Sequence, residues 1–120
     1  MPHFALLWSR LKSRKPQGLE AHKDVNAPAP NIDITYCRLC GWLLRAAWMG
    51  QELLNTFAGE LGSLTLIPDE TGGVFEIRLN GELIWSRSGQ GRFPEITELK
   101  QIVRDKIAPA HDLGHADRKD

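Results

Sequence analysis

Two cysteines three residues apart, Cys37-Arg38-Leu39-Cys40, stand where a strand-like stretch gives way to a helix-like one. That junction is the tightest constraint on the fold. Before it, Ile32, Ile34 and Tyr36 alternate with polar residues over 31–36, the pattern of a half-buried strand. After it, Trp42, Ala46, Met49, Leu53, Phe57 and Leu61 recur at spacings of three and four, with Arg45, Glu52, Asn55 and Glu60 largely off that stripe. This predicts one long helix over 41–61, with Gly62 as a left-handed cap. Leu64-Thr65-Leu66-Ile67 then predicts a short strand ended by Pro68, with turn chemistry over 69–73. Strand, helix and strand in that order imply a right-handed crossover between two parallel strands.

The next signal is Asn80-Gly81, flanked by strand patterns over 74–79 and 82–87. Both residues tolerate positive φ, so the pair predicts a two-residue hairpin turn. Simple closure pairs Ile77 with Ile84 and Glu76 with Trp85. It places Phe75, Ile77 and Leu79 on one face with Ile84, and Leu83 and Trp85 on the other. A loop over 88–92 leads to a helix with Pro94 in its first turn, Glu95 and Glu98 early, Lys106 late and Pro109 as its stop. Its apolar face comprises Ile96, Leu99, Val103 and Ile107, with Ile102 alongside. The order is β-α-β-β-β-α, an α/β two-layer arrangement on a four-stranded mixed sheet, with no internal repeat.

At 120 residues the chain has room for one small domain, and 42% apolar with 25% charged residues suits a packed core. The formal charge is zero, leaving no electrostatic footprint for nucleic acid or an anionic membrane. Charge is uneven. Residues 1–30 carry Arg10, Lys12, Arg14, Lys15 and Lys23 against Glu20 and Asp24, and they turn Pro/Ala-rich before the first strand. They read as a flexible basic arm, in which Phe4, Leu7, Trp8 and Leu11 share a helical face able to dock as a short amphipathic turn. The body spans 31–109, and 110–120 is a polar tail. The apolar run 4–8 is too short for a secretory core of about 7–15 residues or a membrane span of about 20. The expected location is cytoplasmic, where two cysteines serve chemistry rather than a permanent staple.

Cysteines at a strand-to-helix junction bring both sulfurs within bonding reach at the positive end of the helix dipole. Unpaired N–H groups and the dipole favour thiolate, and Arg38 adds a positive charge. A thiolate attacks a disulfide, a mixed disulfide forms, and the second thiol resolves it. Zinc binding is an alternative, because Cys-x-x-Cys is half a tetrahedral ligand set. His111 and His115 have the His-x3-His spacing but lie far beyond the usual finger interval and read as surface residues. A third reading makes the cysteines small apolar residues, against polar neighbours Arg38 and Thr35. The glycines fit no phosphate loop and read as turns, and Glu95 and Glu98 read as first-turn helix charges.

Tyr36-Cys37-Arg38-Leu39-Cys40, followed by Trp42-Leu43-Leu44-Arg45-Ala46-Ala47-Trp48, resembles the bacterial branch of the selenoprotein W, T and H family, also called Rdx proteins. The likeness continues through Gly72-Gly73-Val74-Phe75-Glu76-Ile77, Asn80-Gly81, Ile84-Trp85-Ser86-Arg87, Phe93-Pro94-Glu95, Leu99-Lys100-Gln101, Val103-Arg104-Asp105 and Leu113-Gly114-His115. It covers residues 32 to about 115 and leaves out the arm. The resemblance implies a thioredoxin-like fold with the redox motif after the first strand. Selenocysteine-containing members place selenium at the second motif position, here Cys40, whereas thioredoxin logic makes Cys37 the attacking thiol. The order of attack stays open.

Two departures bear on activity. Thioredoxins carry a cis-proline before the third core strand, where this chain has Thr71-Gly72-Gly73 and Pro68 falls early. The connection 68–73 is also too short for a further helix, which would leave a sheet face uncovered. Leu83 and Trp85 would then lie on an open apolar face, a partner or dimer surface; the alternative makes Trp85 ordinary core. The expected function is thiol–disulfide redox chemistry by Cys37 and Cys40 in cell redox homeostasis. Glutathione would be a co-substrate, protein thiols or disulfides the partners, and the chain a monomer or weak dimer with no bound cofactor or metal. The alternative is a redox-sensing interaction module that recognises a partner through the hairpin, Trp85 and Phe93 without turnover.

Overall fold

In the computed structural model, residues 29–114 are described. The basic arm up to residue 28, the tail from 115 and the amphipathic turn at Phe4, Leu7, Trp8 and Leu11 lie outside them. Strand β1 (Asn31–Cys37) is central. Its partners are β2 (Ser63–Asp69), parallel on one side, and β3 (Phe75–Leu79), antiparallel on the other, with β4 (Glu82–Ser86) beyond β3. The sheet order is β2-β1-β3-β4. Helix α1 (Leu43–Thr56) links the two parallel strands, a one-turn helix α2 (Arg87–Gln90) follows β4, and α3 (Ile96–Ile107) closes the body. The fold is an α/β, thioredoxin-like one with a four-stranded mixed sheet.

Alternation in β1 sends Ile32, Ile34 and Tyr36 into the core, where they meet Leu79, Ile77 and Phe75 across the β3 ladder. Helix α1 adds Ala46, Met49 and Leu53, followed by Phe57, and α3 adds Leu99 and Val103. Burial of the large side chains among these, each worth about 1.5–3 kcal/mol, is the main force holding the layers together. The opposite face of β1 and β3 carries Asp33, Thr35, Glu76 and Arg78, all half-buried. That face is therefore chiefly polar rather than the open apolar surface expected.

Helix α1 ends earlier than the stripe predicts. Phe57 caps it through an N–H bond to the Leu53 carbonyl, and Leu61 then bonds back to Phe57. Gly62 is not a left-handed cap. Its N–H donates to the Pro30 carbonyl at 2.7 Å, and a Cβ there would sit 2.5 Å from the Ala29 Cβ. Glycine is needed for close approach of two chain segments, at the point where β2 falls into register with β1. Pro68 does not end β2 but lies within it, opposite Tyr36, because β2 is an edge strand and tolerates a missing N–H.

The hairpin turn forms as predicted, with Asn80 and Gly81 at φ 52° and 85°. The register holds next to the turn and shifts beyond it. Ile77 pairs with Trp85 and Arg78 with Leu83, so Ile84 is the extra residue of a β-bulge. The bulge rotates Trp85 into the core, 4% exposed, and leaves Leu83 on the outer face at 44%. The 88–92 loop begins as α2, and Pro94 precedes the helix it was expected to open. Glu95 caps α3, and the Glu98 carboxylate reaches back to accept from the Glu95 N–H at 3.1 Å.

Candidate redox site

The site forms where β1 runs out. Cys37 is the last residue of β1, fully buried, and its N–H donates to the Val74 carbonyl at 2.8 Å. A single 3₁₀ turn (Arg38–Cys40) lifts the chain off the sheet, and Gly41 at φ 75° redirects it into α1, whose N-cap is Trp42. That φ suits glycine because an L side chain there meets its own backbone. The turn brings the two cysteine Cα atoms to 5.4 Å, and Cys37 and Cys40 are joined in a disulfide. The two residues are not equivalent in exposure. Cys37 is sealed in the core while Cys40 is exposed, at the end of the turn leading into α1.

Charge around the pair is partly neutralised. Arg38, between the cysteines, donates to Glu70 at 2.8 Å, with both side chains more than half exposed. Its field at the sulfurs is weakened by its own partner and by solvent.

Two residues past Cys40, Trp42 joins a cluster of three rings in edge contact. Trp42 and Phe93 have centroids 4.8 Å apart, Phe75 and Phe93 5.0 Å, and Trp42 and Phe75 6.3 Å. Phe93 is half-buried there. Trp85 is not at this surface. It is buried, its indole N–H donates to the Arg92 carbonyl at 3.0 Å, and the Arg92 guanidinium lies 5.0 Å from its ring centroid. The expectation of Trp85 on a partner surface is corrected by the bulge, which reverses the face it occupies.

Sequence periodicity missed an exposed apolar rim that runs from the motif turn along the start of α1. Leu39, Leu43, Leu44 and Trp48 are 67%, 49%, 81% and 47% exposed. The available signal was that Leu43, Leu44 and Trp48 fall off the core stripe of α1, while Leu39 sits between the two cysteines. The zinc alternative gains no support from His111, whose Nδ1 lies 3.1 Å from Glu60 and whose ring packs near Phe57. His115 lies outside the described residues. Among the described residues no group of three or more His, Cys, Asp or Glu is placed to hold a metal ion. None of their helices is long and apolar enough to cross a membrane.

The family model described as the Rdx family matches residues 31–105, from the start of β1 into α3. The chain belongs to the Rdx family. Two solved structures agree. A selenoprotein W-related protein from Vibrio cholerae is 53% identical, with a TM-score of 0.63, over 66% of this chain and 98% of that one. A protein from Bordetella parapertussis is 56% identical, with a TM-score of 0.64, over 66% of this chain and 99% of that one. Comparison with curated proteins gives no match. Membership in the Rdx family and a Cys37–Cys40 pair at disulfide distance fit a redox role.

Proposed function

We propose that this Rdx-family protein exchanges thiols and disulfides through Cys40, with Cys37 as the resolving cysteine, in contact with the cytoplasmic glutathione pool. The observation that carries the reading is the unequal burial of the two joined sulfurs' residues. A substrate thiolate reaches Cys40 from solvent and attacks its sulfur. The Cys37–Cys40 bond breaks, its electron pair leaves on the Cys37 sulfur, and a mixed disulfide forms at Cys40. A second thiolate attacks the substrate sulfur of that mixed disulfide and releases Cys40. The net change is two substrate thiols oxidised to one disulfide and one protein disulfide reduced to two thiols. Running in reverse, the Cys40 thiolate attacks a substrate disulfide and Cys37 then closes the internal bond. Turnover against glutathione would serve redox homeostasis.

Trapping tests the assignment. With glutathione disulfide, Cys37→Ser is expected to gain one glutathione at Cys40 that persists. Cys40→Ser should gain little, since a buried Cys37 offers no approach. Stable glutathionylation of Cys40→Ser with none in Cys37→Ser would reverse the roles.

The exposed rim of Leu39, Leu43, Leu44 and Trp48 favours a second reading, a module that binds a partner and senses redox state without turnover. Partner binding that survives Cys37→Ser/Cys40→Ser, in a protein showing no thiol turnover, would establish it.

A further inference from the structure

Ion pairing across the described residues leaves two cations out. Arg38, Arg78, Arg92 and Arg104 pair with Glu70, Glu76, Glu98 and Asp105, and Lys100 and Lys106 pair with Glu52 and Glu82. Every described lysine and arginine except Arg45 and Arg87 therefore has a carboxylate. Those two come from different elements, α1 and α2, yet converge on one ring. The Arg45 guanidinium carbon lies 4.1 Å from the Phe93 centroid and that of Arg87 lies 5.2 Å from it, with Arg87 also 4.9 Å from the Trp42 centroid. Arg87 carries a further feature. The Arg87 Nε is buried without a hydrogen-bond partner among the described residues, which native structures rarely leave unexplained.

The ring cluster is joined to the Cys37–Cys40 turn through the chain at two points. Trp42 is two residues past Cys40, and Phe75 follows Val74, whose carbonyl accepts the Cys37 N–H. Stacking on aromatic faces holds a guanidinium in place while leaving its in-plane donors to meet a planar anion. We propose that Arg45 and Arg87, gathered on Phe93 in the ring cluster joined to the Cys37–Cys40 turn, form an anion subsite that binds the carboxylate of a thiol substrate. This deepens the thiol-exchange reading and rests on it. The two arginines are binding residues: they hold the substrate's carboxylate while its sulfur meets Cys40, and they take no part in the electron movement.

The test compares two thiols that differ in one charge, N-acetylcysteine and N-acetylcysteine amide, as reductants of the oxidised full-length chain at low salt. Dividing the wild-type rate ratio by that of R45Q/R87Q cancels the intrinsic reactivity of the thiols. The double variant is expected to lose about fivefold in rate with the carboxylate and to keep its rate with the amide. About 0.5 M salt should shrink the wild-type advantage, since screening is then nearly down to contact distance. R45Q alone, at an exposed site, should give part of the loss and guards against misfolding of the Arg87 variant. A cysteine peptide with glutamate beside the thiol, run against its glutamine analogue, assigns the source. A preference there that the variant erases points to a polypeptide carboxylate, and one confined to N-acetylcysteine points to a small thiol. Both outcomes support the subsite. An unchanged ratio, or equal slowing with both thiols in folded variants, overturns it and leaves the arginines as structural clamps. A wild-type disulfide that even dithiothreitol fails to open overturns the exchange reading and the subsite together.

Discussion

Replacing Trp85 with phenylalanine tests the bulge that distinguishes this hairpin from the simple one its turn suggests. In the folded chain Trp85 is 4% exposed and its indole N–H donates to the Arg92 carbonyl at 3.0 Å. Phenylalanine keeps one ring and removes the other, about 40 Å² of buried apolar surface worth about 1 kcal/mol. The vacated space adds a comparable cost, because neighbours relax only partly. Loss of the indole hydrogen bond adds about 1 kcal/mol. The total is about 2–3 kcal/mol, a drop of about 10–20 °C in Tm for a domain of this size. Leu83→Thr is the control: at 44% exposed on the outer face, it should change stability by no more than about 0.5 kcal/mol. Urea unfolding and thermal melts by circular dichroism measure both. If Trp85→Phe costs under about 0.5 kcal/mol while Leu83→Thr costs more, Ile77 does not face Trp85 and the reasoning from the bulge is refuted.

Two further outcomes follow from the same packing. Gly62→Ala drives a Cβ to 2.5 Å from the Ala29 Cβ and 3.1 Å from the Pro30 carbonyl oxygen, and should cost about 1–3 kcal/mol in urea unfolding. Gly72→Ala, with nothing within 4 Å of the new carbon, should be neutral or slightly stabilising. Equal effects would show that the approach at Gly62 relaxes freely. The Arg92 guanidinium, bonded to both Glu98 oxygens at 2.9 Å, holds that carboxyl below its ordinary range, aided by the Glu95 N–H. A lowered folded-state pKa contributes stability above the unfolded value and loses it as pH falls through the folded one. Wild type should therefore lose stability more steeply than Glu98→Gln between about pH 5 and 3. With Glu98 partly exposed, the difference should stay below about 1 kcal/mol, and parallel curves would remove this carboxylate from the acid response.

What local pattern encodes, the chain displayed openly. Alternation at Ile32, Ile34 and Tyr36, the α1 stripe from Ala46 to Phe57 and the positive-φ pair Asn80-Gly81 determine the element order, because each needs only short-range geometry and a side that seeks burial. The Cys37–Cys40 pair was legible for the same reason: one turn between a strand and a helix suffices to bring two sulfurs together. Tertiary structure decided what depends on distant partners. No local rule distinguishes Trp85 in from Trp85 out, since one bulged residue reverses the face, and the Ile77–Trp85 pairing settles it. Nothing near Gly62 announces Ala29, thirty-three positions earlier. The burial of Cys37 against the exposure of Cys40 comes from β3 and the layer above it. Arg45 and Arg87 meet only because Phe93, from a third segment, lies where both can stack. Burial and convergence are properties of the assembled layers, and a linear pattern holds them only after the sheet has chosen its register.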